Sequence, residues 1–140
     1  MENPMLKGPR PKPTRDTKPY WDGLQEGRLL IQQCAECGTF RHYPRPVCPN
    51  CYSMELKWRD MQGEGTVHTW TTCYHAFNPA FKKDLPTTYV TVDLPEGPRM
   101  VGRLCNSDPA DLAFGKPVKL GVEYVDDELS LPIVELIKPS

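Results

Sequence analysis

The chain has 140 residues, 39% of them hydrophobic, which suits one ordinary domain or two very small ones built around a modest core. Its 17 Lys and Arg against 18 Asp and Glu give a formal charge of -1, without the basic excess that drives phosphate-backbone binding, so nucleic acid is a disfavoured partner. No run approaches the roughly 18 apolar residues of a membrane span, and the polar start has no leader-like apolar core, which points to a soluble, cytosolic protein that does not engage a membrane.

Residues 1–17 mix Pro4, Pro9, Pro11 and Pro13 with Lys7, Arg10, Lys12 and Arg15 and read as a flexible, Pro/Lys/Arg-rich arm. Without residues 1–20 the body keeps 12 basic against 16 acidic residues and is mildly acidic. Residues 18–33 follow as short helices: Thr17 and Pro19 suit a helix start, and Tyr20, Trp21, Leu24, Leu29 and Leu30 give an apolar stripe broken by Gly23 and Gly27. Such short helices are marginal alone and must dock on the rest of the chain.

Residues 34–60 carry the strongest motif, Cys34-Ala35-Glu36-Cys37 and Cys48-Pro49-Asn50-Cys51, with ten residues between the pairs. In a reducing compartment such pairs bind metal rather than form disulfides. Each C-x-x-C turn offers two thiolates, and four converge on Zn²⁺ with no position left for an activated water, so the zinc is structural. Iron in a rubredoxin-like site is the chemical rival.

From residue 61 to 140 the pattern becomes short strands. Thr66–Tyr74, Thr87–Leu94 and Arg99–Cys105 are joined in part by the turn Pro95-Glu96-Gly97-Pro98. Asp108-Pro109 opens a helical turn through Phe114 that Gly115 closes, and strands at Val118–Tyr124 and Ile133–Ile137 complete the domain. Three strands, a helical turn and two strands are the order of a five-stranded OB-fold barrel. The fold class is therefore mainly β: short N-terminal helices, a zinc ribbon and the barrel.

No residue set reads as catalytic. Cys73 and Cys105 are expected as small buried side chains, and His75 shares a strand face with Cys73 without a third group. His42 and His68 read as isolated surface residues, and Asp126 to Glu128 as a solvated turn. Gly63 and Gly65 read as a turn or bulge. The connection Tyr74 to Pro86 stands out, with Tyr74, Phe77 and Phe81 followed by Lys82 and Lys83. An aromatic loop with a basic tip suits a partner groove or a nucleotide-bearing ligand; the alternative is a loop folded over one end of the barrel.

The run Tyr20-Trp21-Asp22-Gly23-Leu24-Gln25-Glu26-Gly27-Arg28-Leu29, the two Cys pairs with Pro44-Arg45 between them, Gly63-Glu64-Gly65-Thr66-Val67 and Tyr89 to Met100 together resemble a family of small bacterial and archaeal proteins. That family joins a rubredoxin-like zinc ribbon to an OB-fold, and the match spans residues 18 to 138. The resemblance implies an acyl-CoA-associated accessory protein working with a thiolase-like enzyme in a hetero-oligomer. Some relatives bridge a thiolase and a hydroxymethylglutaryl-CoA synthase, others support acyl transfer to polyketides, and others belong to aldolases of steroid side-chain degradation. The loop with His75, Phe77, Asn78, Pro79, Ala80 and Phe81 is most similar to the steroid aldolase branch. Tyr52 departs from the family, where many members carry Gly, and bears on turn geometry rather than on a ligand.

The leading expectation is a non-catalytic subunit of a thiolase-fold aldolase acting on a CoA thioester, with Tyr74, Phe77 and Phe81 at the partner interface. A CoA thioester shared with the partner would meet Lys82, Lys83, Arg99 or Arg103 through its phosphates. The alternatives are a scaffold or acyl-CoA-binding subunit of another thiolase or acyltransferase complex, a single-strand nucleic-acid binder and an independent CoA enzyme.

Overall fold

The computed structural model describes residues 10–76 and 78–137, with residues 81 and 84 as backbone only. Residues 1–9 of the expected arm lie outside that description. From Arg10 onward the arm is tied to the body, because Arg10 pairs with Asp126 through two contacts of 3.2 and 2.5 Å.

One α-helix is found among the described residues, α1 (Lys18–Gln25), with Pro19 in its first turn. Thr14 and Thr17 brace its start by exchanging backbone-to-hydroxyl bonds of 2.8 and 3.3 Å. Gly27, at φ +78°, ends it, and the Gly27 and Arg28 N–H groups close on the Leu24 and Gly23 carbonyls. The helical reading of residues 18–33 therefore holds only to Gln25. Beyond the glycine stop, Leu30–Cys34 is a strand, β1, because it is paired on both sides. Its neighbours are β2 (Phe40–Arg41) and β3 (Leu56–Asp60), both antiparallel, in the order β2-β1-β3. Gly23 lets α1 sit close to β1, since a Cβ there would come 2.8 Å from Leu30 Cδ1.

Five strands form a closed barrel: β4 (Glu64–Cys73), β5 (Thr87–Asp93), β6 (Arg99–Leu104), β7 (Pro117–Asp126) and β8 (Leu129–Leu136). Their order is β4-β5-β6-β8-β7, closed by β7 on β4, with β6 and β8 parallel and every other pair antiparallel. This is the expected five-stranded OB-fold arrangement. The Pro95–Pro98 hairpin forms as read, with the Leu94 N–H donating to the Pro98 carbonyl at 3.0 Å and Gly97 at φ +120°. Gly65 is required by crowding, since a Cβ there would lie 2.6 Å from the Asp93 carbonyl oxygen.

The last strand begins at Leu129, earlier than the expected Ile133, because β8 pairs with β7 throughout whereas β6 joins it only from Ile133. The helical turn after Asp108 is also shorter than expected. Asp108 does cap it, accepting the Ala110 N–H at 2.9 Å, but the turn covers only Pro109–Asp111. Leu112 then adopts an extended backbone and enters the core instead of continuing toward Phe114.

The core gathers Val67, Val90, Val92, Met100, Val118, Leu120 and Val134 from the barrel with Ile31 of β1 and Met61 of the β3–β4 link. Ribbon and barrel thus share one buried cluster. None of the described helices is long and apolar enough to cross a membrane.

Candidate metal centre

Two matched turns build the centre. In the first, Gly38 N–H donates to the Cys34 carbonyl at 3.1 Å and Cys34 N–H to the Thr39 carbonyl at 2.9 Å. In the second, Tyr52 N–H donates to the Cys48 carbonyl and Cys48 N–H to the Ser53 carbonyl, both at 2.9 Å. Gly38 and Tyr52 hold the same left-handed place, at φ +79° and +64°. Tyr52 therefore keeps the turn that glycine would favour, at a backbone cost of about 1 kcal/mol, and the ligand positions are unchanged.

The sulfur atoms of Cys34, Cys37, Cys48 and Cys51 lie within 4.8 Å of one another, with Cys34–Cys51 at 3.5 Å and Cys37–Cys48 at 3.6 Å. Tetrahedral Zn²⁺ at 2.3 Å from each sulfur needs edges of about 3.8 Å, so the donor set fits in number, type and size. Cys34 and Cys48 are buried, and Cys37 and Cys51 are exposed. The backbone N–H groups of Cys37 and Glu36 lower the Cys34 thiol pKa. The Thr39 hydroxyl, the Thr39 backbone and the Asn50 amide bring Cys37 down to about 5. Cys51 moves the other way: against the lowering effect of the Ser53 backbone, its bond with Cys34 and desolvation push it up to about 12. Four adjacent thiols cannot all ionise unaided, so a cation binds with release of protons and is held less tightly as pH falls. All four sulfurs are taken up by such an ion, which makes the centre structural.

Thr39 and Asn50, whose side chains contact Cys37 Sγ, were not among the residues read as functional. The available signal was Asn50 itself, a donor side chain inside the second C-x-x-C turn.

Other expected residues fall at different places. Cys73 and Cys105 are half-buried at the ends of β4 and β6. Tyr74 is 77% exposed at the start of the long connection, and Lys82 and Lys83 are exposed on a short 3-10 turn, Pro79–Asp84, capped by Asn78. Phe77 and the Phe81 side chain lie outside the described residues. Arg103 sits near the loop end of the barrel, opposite Tyr89, and pairs with Glu123. Arg99 does not join this group: it pairs with Asp93 at 2.7 Å at the other end of β5, about 20 Å along the strand from Thr87.

His68 is partly exposed, 3.3 Å from Asp93. His42, expected at the surface, is instead largely covered, with ring centroids 5.3 Å from Tyr20 and 5.8 Å from Tyr43. Docking of α1 on the ribbon is what covers it, and the resulting desolvation lowers its pKa to about 4. An unfolded histidine binds a proton near pH 6.5 and the folded one does not, so stability should be lost as pH falls from 6.5 toward 4. His42→Phe should gain about 2 kcal/mol relative to the wild type between pH 7 and 4.5 in urea unfolding. A stability difference independent of pH would refute this role.

Two family models cover this architecture: the ChsH2 rubredoxin-like zinc ribbon domain matches residues 21–56, and the ChsH2 C-terminal OB-fold domain matches residues 58–123. A DUF35 domain-containing scaffold protein of Methanocaldococcus jannaschii is 30% identical over 101 residues, which are 71% of this chain and 71% of that protein. The chain belongs to the ChsH2 (DUF35) family. A chain of the solved Ltp2-ChsH2(DUF35) aldolase superposes on this ChsH2-family protein with a TM-score of 0.82 and 35% identity, over 91% of this chain and 98% of that one. The 3-oxo-4,17-pregnadiene-20-carboxyl-CoA hydratase alpha subunit of Mycobacterium tuberculosis is 35% identical over 84% of this chain. A probable enoyl-CoA hydratase alpha subunit of Thermomonospora curvata is 36% identical over 94% of this chain. The chain spans only 36% and 41%, respectively, of the lengths of these two relatives.

Proposed function

We propose that this ChsH2-family chain is a non-catalytic accessory subunit of a thiolase-fold acyl-CoA enzyme, an aldolase acting on a CoA thioester in steroid side-chain degradation. The observation that carries the reading is the end-to-end likeness to a chain of the Ltp2-ChsH2(DUF35) aldolase, at 35% identity and a TM-score of 0.82. The chemistry on the chain agrees with an accessory part: its one four-sulfur centre among the described residues is suited to bracing the ribbon rather than to turnover. In this division of labour the partner carries the bond-breaking groups, and this chain supplies a rigid surface beside the substrate entrance. Lys82 and Lys83, exposed on the loop turn, are the proposed contacts for CoA phosphates, with Arg103 at the same end of the barrel.

The deciding experiment uses the full chain, tagged, in extract of its own source, with the retained protein identified by mass spectrometry. A thiolase-fold subunit at fixed stoichiometry, and retro-aldol cleavage of a steroid CoA thioester by the pair, are expected. Retention of a complex without such a subunit would remove the proposal. In calorimetry on that pair, Lys82→Ala/Lys83→Ala should weaken CoA binding roughly tenfold, and equal affinity would reject the lysine assignment.

A second reading, a subunit of a CoA-thioester hydratase, is favoured by the two hydratase alpha subunits that align over 84% and 94% of this chain. Hydration of an enoyl-CoA by the captured complex, without retro-aldol cleavage, would select it.

A further inference from the structure

The surroundings treat the four sulfurs unequally. Asn50 reaches from the second turn to the first: its Nδ2 donates to Cys37 Sγ at 3.6 Å and lies 3.4 Å from Thr39 Oγ1. Its backbone N–H donates to Cys48 Sγ at 3.4 Å. Thr39 Oγ1 is 3.2 Å from the same Cys37 sulfur. Among the described residues, the side-chain partners of the Cys34 and Cys51 sulfurs are other sulfurs of the centre, with Cys34 and Cys51 3.5 Å apart. Glu36, which occupies the place of Asn50 in the first turn, carries no N–H on its side chain.

The direction of these bonds is set by chemistry. A metal-bound Cys37 is a thiolate and only accepts, so the Thr39 hydroxyl spends its single proton on that sulfur. Its oxygen is then left to accept from Asn50 Nδ2. Asn50 thus acts on Cys37 twice, directly and through Thr39, and it joins the two turns by a route that does not pass through the metal.

The geometry points to Asn50 as the positioning residue that sets how slowly the metal leaves: by donating to the exposed Cys37 thiolate it holds that ligand in place and makes it a poorer nucleophile. Outer-shell partners of metal ligands commonly govern affinity by 10- to 100-fold. In this protein the effect falls on one named ligand. Cys37 and Cys51 are the two exposed sulfurs that a competing ligand or an electrophile would reach, and the Asn50 amide and Thr39 hydroxyl are aimed at Cys37.

The test uses the zinc-loaded full chain and needs no activity assay. Asn50→Asp keeps the size of the side chain but turns the donor into a second anion beside the sulfur. Zinc transfer to excess chelator should become at least tenfold faster. In the Co²⁺-substituted protein the sulfur-to-metal charge-transfer band should shift. Brief alkylation followed by mass spectrometry should show Cys37 modified ahead of the other three. Thr39→Val should speed release in the same direction, whereas Thr39→Ser, which keeps the hydroxyl, should restore the slow rate. If Asn50→Asp does not load with metal, Asn50→Ser, too short to reach Cys37, gives the same comparison. Wild-type release rates in both Asn50 variants would overturn the inference. So would faster release with an unchanged Co²⁺ band and alkylation order, because that pattern marks general loosening of the ribbon.

Discussion

Cys48→Ser should empty the metal centre and melt the ribbon. The wild type should carry one zinc per chain, and the variant should retain little of it. A three-sulfur site leaves tetrahedral Zn²⁺ short of a soft donor, and Cys48 is fully buried, so its hydroxyl replacement cannot draw on solvent to complete the set. Structural zinc sites contribute on the order of 10–16 kcal/mol to the folding of the module that holds them, and loss of one ligand forfeits a large part of it. The damage should extend beyond the ribbon. Ile31 and Met61 lie in the same buried cluster as Val90, Val92 and Val134, so a ribbon that opens withdraws apolar cover from the barrel. Metal analysis and a thermal melt decide it: full zinc content with an unchanged melting profile would rule out the assignment of Cys34, Cys37, Cys48 and Cys51 as ligands.

Phe77→Ala/Phe81→Ala should separate binding from folding. These residues belong to a long connection that also carries exposed Tyr74, whereas ordinary strand connections are short and polar. Aromatic residues near the centre of an interface commonly account for most of its affinity, and truncating one costs about 2 kcal/mol or more, roughly thirtyfold in the dissociation constant. The expected result is weakened association with the proposed thiolase-fold partner, with zinc content and melting temperature unchanged. Activity of the pair should recover at high subunit concentration if the loop only docks. A lasting fall in turnover at saturation would mean that the loop also shapes the substrate channel. Undiminished affinity in the double variant would place these side chains in the barrel's own packing.

The parts of this molecule most legible in the sequence are those governed by local rules. The C-x-x-C spacing yields four converging sulfurs because each tight turn fixes the separation of its own two ligands. Barrel strands at Thr87 and Arg99 could be read from β-branched runs bounded by a Pro-Gly turn. What escaped depends on contacts distant in sequence. Leu29 and Leu30 continue an apolar stripe that began in α1, and only the pairing of β1 with Phe40–Arg41 and Leu56–Asp60 shows that the stripe has become a strand. His42 looks like a surface residue until Tyr20 covers it from 22 positions away in the chain. Arg99 and Arg103 are four residues apart and are expected at one mouth, but the strand between them carries them toward opposite ends of the barrel.

Closure of the barrel has a bearing on how this protein can meet others. The ring of five strands closes over short seams, β4 with β7 at Glu64–Thr66 and β6 with β8 at Arg103–Leu104, and only along those seams are the margins joined. The ribbon sheet has two further open margins, where β2 and β3 flank β1. The β2 margin is two residues long, and β3 alternates Leu56 and Trp58 with Lys57 and Arg59 before ending in Asp60. A second copy adding edge to edge along β3 would bring like charges together in a parallel arrangement, which guards the fold against self-templated sheet growth. Contact across the closed seams runs through side chains and loops, a mode in which single residues can alter partner choice while the backbone ring stays intact.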